Sequence, residues 1–423
     1  MSIQEIHQIV DEYLGKAQTL HEYIQSLLQK TDITEKADTE FRPTSVQFNT
    51  SLSKTDRHTE GIYFTPKKVR DRLFQVLSSH LNPATILEPC FGTGEFLYDA
   101  KQHFPNARLQ GVEKHTKLFQ SVSIPNCQTA NQDFRTYVAD PVECVIGNPP
   151  YCVTKEKDAE CMTGRGNLFV QFVYKCITKH LKPNGVLAMI LPTSFLNCSY
   201  YEPCRNYIAK NTTILHLEIL SNVGFYDTSQ ETILFVLKNE KPPSTTPYVF
   251  QMCGNHYFSA QYETLRTIVR NTTTLEALNF QVKTGEIVWN QHKDDLHDTH
   301  GTYLLYSSNI VNNTLCLNNM KPGEKKQRVR NQTNTPQRGP AILVNRGYGN
   351  SYKLQYAQVP DTVDFYGENH VNVITPKTEE AKNRMQQILQ SFADPRTQQF
   401  ITMFIGNGAL SKTELETVLP IFV

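Results

Sequence analysis

Between residues 61 and about 238, short apolar runs alternate with helical stretches, and this alternation limits the fold more than any other feature of the chain. The runs are TILE (85–88), LQGVE (109–113), VECVIGN (142–148), GVLAMILP (185–192), ILHLEIL (214–220) and TILFVL (232–237). Helical patterns over 66–80 and 167–181 fall between them. Strands that stay apolar along their length are buried on both faces, and strands alternating with helices build a mainly parallel sheet. The expected fold is therefore α/β, a Rossmann-like sheet with helices on both faces.

The flanks differ in texture. Residues 3–28 repeat apolar side chains (Ile3, Ile6, Val10, Leu14, Ile24, Leu27, Leu28) at mostly helical spacing. Residues 31–60 are polar and read as a linker or loose arm. NEKPPSTTP (239–247) is the strongest boundary. Beyond it, helical stretches (259–270, 378–391) mix with strands such as AILVNR (341–346) and HVNVIT (370–375). This gives three segments: 1–60, 61–240, and a mixed α/β part over 241–423. For 423 residues that matches two or three domains of about 150 residues each. With 39% apolar and 10% aromatic residues the chain is not generally disordered.

A net charge of +1 excludes nucleic-acid binding by bulk charge alone. Lys and Arg number 24 against 26 acids up to residue 240, and 18 against 15 beyond it, so the C-terminal part leans toward an anionic partner. There is no apolar run of about 18 residues, and the start of the chain lacks the pattern of a signal peptide. Ten cysteines without a CxxC pair suggest reduced thiols, so the expected setting is intracellular, cytoplasmic or DNA-associated.

ILEPCFGTGEFL (86–97) follows an apolar strand and opens a helix. Gly92 and Gly94 allow a sharp turn and close approach of a ligand to the backbone. There is no P-loop Lys-Ser/Thr, which argues against a triphosphate. Acids recur at successive strand ends: Glu88, Glu113 and Asp133. Glu113, 25 residues past Glu88, is near the spacing at which an acid meets a ribose diol. An acid at the first strand suits a cationic amino-acid end better than a pyrophosphate. A positively charged nucleoside such as S-adenosyl-L-methionine fits this set better than NAD. A second motif, VIGNPPY (145–151), ends another strand, and Pro149 and Pro150 stiffen the exit of the chain there.

With these residues in order, the chain resembles the amino-methyltransferases that act on DNA adenine at N6. The marks are GIYFTP (61–66), EPCFGTG (88–94), Glu113, DF (133–134), NPPY (148–151), NLF (167–169), KPNGVLAMILPTSFL (182–196) and GFYDTSQETILFVL (224–237). Their order is similar to the gamma class, the TaqI-like enzymes. The resemblance covers about 61–238 and implies that 241–423 is a target-recognition domain.

It also implies roles. Asn148 and the Pro149 carbonyl would accept hydrogen bonds from the target amine, with Pro150 in the same motif. Tyr151 and Phe225 would stack on the two faces of a flipped base. Tyr63, Thr65, Pro66, Glu88, Pro89, Cys90, Gly92 and Gly94 would hold the methionine end of the cofactor. Glu113 would take the ribose, Asp133 the adenine amine, and Phe134 the ring. Thr65 can alternatively be read as a helix cap before Pro66.

For duplex DNA the candidate contacts are Lys321, Lys325, Lys326, Arg328, Arg330 and Arg338, in a segment (321–338) read as an exposed loop, and Arg346. His292, His297 and His300 match no zinc spacing, so no metal is expected. Three alternatives keep parts of the pattern: the same chemistry on RNA adenine or a protein glutamine, cytosine N4 methylation, and a catalytically silent nucleic-acid-binding subunit.

Overall fold

The computed structural model describes residues 41–51, 61–156, 158–220, 231–244, 246–317, 323, 325–330, 332–347, 352–405 and 409–422. The helices expected over 3–28, and the residues Phe225 and Lys321, lie outside these. The chain divides into two compact units: Met1–Phe195 with Tyr207–Thr246, and Leu196–Asn206 with Pro247–Val423.

The first unit is a seven-stranded sheet. In chain order its elements are α1 (Pro43–Ser51), α2 (Lys67–Ser78), β1 (Thr85–Glu88), α3 (Glu95–His103), β2 (Arg108–Glu113), α4 (Thr116–Gln120), β3 (Cys127–Asn131), β4 (Val142–Gly147), α5 (Leu168–Lys175), β5 (Leu181–Pro192), β6 (Thr213–Leu220) and β7 (Thr232–Lys238). The strand order is β3-β2-β1-β4-β5-β7-β6. The pairings from β3 to β5 are parallel, whereas β7 runs antiparallel to both neighbours. The β6–β7 connection, 221–231, is shorter than the dozen or so residues that a parallel crossover needs, so the last strand reverses.

The sheet's burial follows from its sequence. Ile86, Leu87, Val145, Ile146, Leu187 to Leu191 and Ile233 to Leu237 are wholly buried. Truncating one such Leu or Ile to Ala costs about 2–5 kcal/mol. On α2, Val69, Leu73, Phe74 and Leu77 repeat at helical spacing and close one face of the sheet.

The second unit contains a four-stranded antiparallel sheet, in the order Phe280–Thr284, Val371–Pro376, Ala341–Asn345, Tyr356–Val359. A five-stranded sheet joins Leu296–His297, Arg328–Val329, Thr302–Leu305, Asp364–Gly367 and Gln337–Arg338. Helices such as Met385–Ala393 bury Ile388 and Phe392 in a core shared with Phe250, Phe280 and Phe400.

Two expectations need correction. Part of the supposed loose arm is α1, with Ser45 buried. The supposed exposed loop 321–338 contributes two strands, and around the first of them Gln327 and Val329 are buried while Lys326, Arg328 and Arg330 face outward, a period-2 pattern too short to stand out among the charges.

Candidate active site

The carboxyl ends of β1 to β4 open on one cavity of about 870 Å3. Open α/β sheets bind ligands at this edge. Tyr63, Thr65, Glu88, Pro89, Cys90, Gly92, Glu113, Asp133, Phe134, Asn148 and Pro150 line it, so the glycine turn and the NPPY asparagine share one space. Pro66, Gly94, Pro149 and Tyr151 support it from outside that lining.

The turn after β1 is held by short backbone bonds, the Phe91 N–H donating to Val112 O (3.1 Å) and Gly94 N–H to Phe91 O (2.7 Å). Gly94 opens α3 at φ +80°, and a Cβ there would come within 3.0 Å of Val122. The Gly92 N–H donates to one Glu113 oxygen (2.8 Å) and the His115 N–H to the other (2.7 Å). Each carboxylate oxygen keeps a further lone pair, which suits a ribose diol. Burial nonetheless pushes the Glu113 carboxyl above its ordinary range.

Glu88 is 2% exposed, and its Oε2 has no hydrogen-bond partner. Burial, then the neighbouring Glu113, push its carboxyl well above the ordinary range. A buried acid with an orphan oxygen is costly unless a cation meets it. That requirement fits the cationic methionine end of S-adenosyl-L-methionine, whose ribose and base would reach Glu113 and the β3 end.

Asp133 is in a different situation. Arg135 donates to both its oxygens (3.1 and 2.7 Å) and Lys114 lies 3.2 Å away, and Arg135 holds its carboxyl far below the usual range. Phe134 is 1% exposed, against Phe172 (ring centroids 4.9 Å apart) and His180 (5.1 Å). The Lys175 ammonium donates to the carbonyls of Phe134, Arg135 and Tyr137, each at 2.7 Å, and so fixes the turn after β3.

Asn148 leaves β4 with both ends of its amide engaged. Its Nδ2 donates to Thr65 Oγ1 (3.1 Å), and the Tyr151 hydroxyl lies 2.6 Å from its Oδ1 and 3.1 Å from Ile190 O. Thr65 therefore orients the asparagine, and no side chain caps α2. The Tyr151 ring meets Phe169 edge-on at 5.9 Å. The Cys90 thiol lies 3.4 Å from the Asn148 carbonyl, and burial pushes its pKa well up. Gly61 sits at φ +67°, where a Cβ would fall 2.5 Å from Cys152 Sγ and 3.1 Å from Pro150 Cβ, so GIYFTP packs directly on the NPPY turn.

Arg70 escaped the sequence reading. It is 2% exposed and its guanidinium bonds the Thr65 carbonyl, Glu95 (2.9 Å) and Asp99 (2.6 Å). The available signal was a charge on the apolar face of α2, four residues before Phe74.

In the second unit, segments distant in sequence meet. The Lys325 ammonium stands 5.2 Å from the Trp289 ring centre and 5.4 Å from that of Tyr306. Lys325 and Arg346 both bear electrostatically on Glu368 and His370. Arg346 donates to Asn369 O (2.9 Å). Lys326 pairs with Asp298 (3.0 Å), Arg338 with Asp364 (3.3 Å), and Arg328 lies 3.8 Å from the Tyr303 ring centre. Among the described residues, no three His, Cys, Asp or Glu side chains are placed to hold a metal.

Residues 98–224 match the Eco57I restriction-modification methylase family. The type II methyltransferase M.CvrRI of Paramecium bursaria Chlorella virus XZ-6E is 30% identical, over 90% of this chain and 99% of that protein. The modification methylase CviBIII of Paramecium bursaria Chlorella virus NC1A is 28% identical, over the same shares. A type I restriction-modification methyltransferase subunit from Streptococcus thermophilus, a solved structure, is matched at 19% identity and a TM-score of 0.37, over 49% of this chain and 53% of that one. At 30% identity over nearly the whole of a viral relative, the chain belongs to the type II restriction-modification methyltransferases, whose methyl donor is S-adenosyl-L-methionine.

Proposed function

We propose that the chain methylates N6 of an adenine extruded from duplex DNA. The observation that carries this reading is Asn148 at the end of β4, clamped by Thr65 and Tyr151, in the same cavity as the glycine turn and Glu88. With Nδ2 spent on Thr65, the amide oxygen is the end available to a target amine. It has two lone pairs, one of them facing the Tyr151 hydroxyl.

The exocyclic amine of adenine is a poor nucleophile because its lone pair is delocalised into the ring. Asn148 Oδ1 and the Pro149 carbonyl each accept one N–H bond in this reading, which favours a pyramidal nitrogen with its lone pair free. The bound cofactor supplies an electrophilic methyl group on a sulfonium. The pocket contributes proximity and electrostatic placement. Tyr151, held at its hydroxyl, is the ring for one face of the base in this reading, and the family resemblance gives the other face to Phe225. Stacking at about 1–3 kcal/mol per ring offsets a flipping cost of a few kcal/mol.

The second unit is the target-recognition domain in this reading. Lys325, Arg346, His370 and Trp289 form its cationic and aromatic face, which suits phosphate and base contacts. Lys321, Lys326, Arg328, Arg330 and Arg338 are further candidates for the backbone. Lys326 and Arg338 already have acidic partners, so they are the weaker ones.

The test is to incubate the purified chain with labelled S-adenosyl-L-methionine and duplex DNA and hydrolyse the product. N6-methyladenine is expected; N4-methylcytosine, or label only in RNA or protein, refutes the substrate assignment. Asn148→Ala should abolish turnover while cofactor binding persists.

A further inference from the structure

We infer that helix α1 completes the cofactor site, and that Ser45 and Phe48 are cofactor-positioning residues. The inference rests on the cofactor assignment and not on which base is methylated. Contacts from Arg42, Ser45 and Phe48 land on the glycine turn, on α3 and on the turn after β2. Ser45 is 1% exposed. Its hydroxyl hydrogen-bonds the Glu95 carboxylate and lies 2.6 Å from Thr93 Oγ1. The Arg42 N–H donates to the same Glu95 (3.0 Å), and the Arg42 guanidinium stands 3.5 Å from the Tyr98 ring centre. One turn of helix further on, the Phe48 ring meets His115 edge-on, with ring centres 5.7 Å apart and planes at 87°. Thr93, Glu95 and His115 all line the cofactor cavity.

These contacts join two parts of the pocket. On one side Ser45 holds Glu95, which pairs with Arg70, which in turn holds the Thr65 carbonyl, and the Thr65 hydroxyl orients Asn148. On the other side Phe48 backs His115, whose N–H holds Glu113. The two turns belong to different βα units. A cofactor reaching from Glu88 to Glu113 must fix both, and ordering them at the moment of binding costs affinity. Helix α1 has its seat already formed: a buried hydroxyl between an acid and a threonine, and a ring against an imidazole. Its composition (PTSVQFNTS) offers little apolar surface, so these polar contacts are what docks it.

The test uses the full chain and S-adenosyl-L-methionine alone, by calorimetry, with Ser45→Ala, Phe48→Ala and the conservative Phe48→Tyr. Each alanine variant is expected to weaken cofactor binding about tenfold, and Phe48→Tyr less than twofold. The melting temperature of the cofactor-free protein should move by no more than about 2 °C. In turnover, the loss should fall on the cofactor KM rather than on kcat. Affinities within twofold of wild type in both alanine variants overturn the inference. So does a loss of affinity that appears only alongside an equal fall in melting temperature and kcat, which marks α1 as scaffold. A wild-type chain that binds no S-adenosyl-L-methionine refutes the cofactor assignment itself, an outcome distinct from the other two.

Discussion

Glu88 and Asp133 are both acids at strand ends on one cavity, separated in the sheet only by β2, yet their surroundings are opposite. Glu88 is buried with an orphan oxygen, and its carboxyl is pushed up. Asp133 already has Arg135 and Lys114, and its carboxyl is pulled down. An acid whose charge is met within the protein has little left to offer a ligand cation. An acid left unmet is unstable until the ligand arrives. Under the proposed function, this contrast favours the β1 side for the cationic end of the cofactor and gives Asp133 the weaker part of a neutralised hydrogen-bond acceptor.

The largest expected effect comes from removing the unmet charge. Glu88→Gln should lower affinity for S-adenosyl-L-methionine by about 100-fold or more, since losing one partner of a buried ion pair costs roughly 3–5 kcal/mol. The same change should stabilise the cofactor-free protein at pH well above 4.5, as a neutral isostere removes a buried unpaired acid. Calorimetry and thermal melts on one preparation check both signs. Lower stability together with full affinity would make Glu88 an ordinary core acid.

Asp133→Asn should be milder, with affinity falling less than about tenfold because its charge is already compensated. A loss equal to that of Glu88→Gln would erase the contrast.

The two acids should also titrate in opposite senses. The folded Glu88 pKa lies above its ordinary 4.5, so the folded protein keeps a proton that the unfolded chain releases. Its contribution to stability is therefore present below 4.5 and is lost as pH rises toward the folded value. A cation binds the ionised form, so cofactor affinity should rise with pH across that window in wild type and stay flat in Glu88→Gln. For Asp133, depressed from 3.8, the contribution is present above 3.8 and is lost as pH falls below it.

The smallest effect is at Lys114, whose side chain is 72% exposed: Lys114→Gln should change stability by less than about 1 kcal/mol.

Much of this unit was legible in advance because its central strands β1, β4, β5 and β7 are largely apolar and buried. TILE coincides with β1 end to end, and the glycine turn and NPPY fell at strand ends, where ligands bind. What escaped the reading was of two kinds. Short elements without apolar periodicity, such as α1 and the strand Arg328–Val329, take their structure from a few tertiary contacts rather than from local preference. The other kind is buried charge. Arg70, Glu95 and Asp99 look like surface residues until folding brings α2 and α3 together. The reversal of β7 was encoded in the length of the 221–231 connection rather than in the composition of the strand.

Lys175 sits among its three carbonyl oxygens much as an ammonium ion sits in a crown ether. The turn after β3, which lines the cavity, is thereby tethered to the last turn of α5, on a separate stretch of chain. Acetylation of that amine would remove the charge and release three oxygens together, so reagents that acylate exposed lysines should spare this one while the loop remains closed.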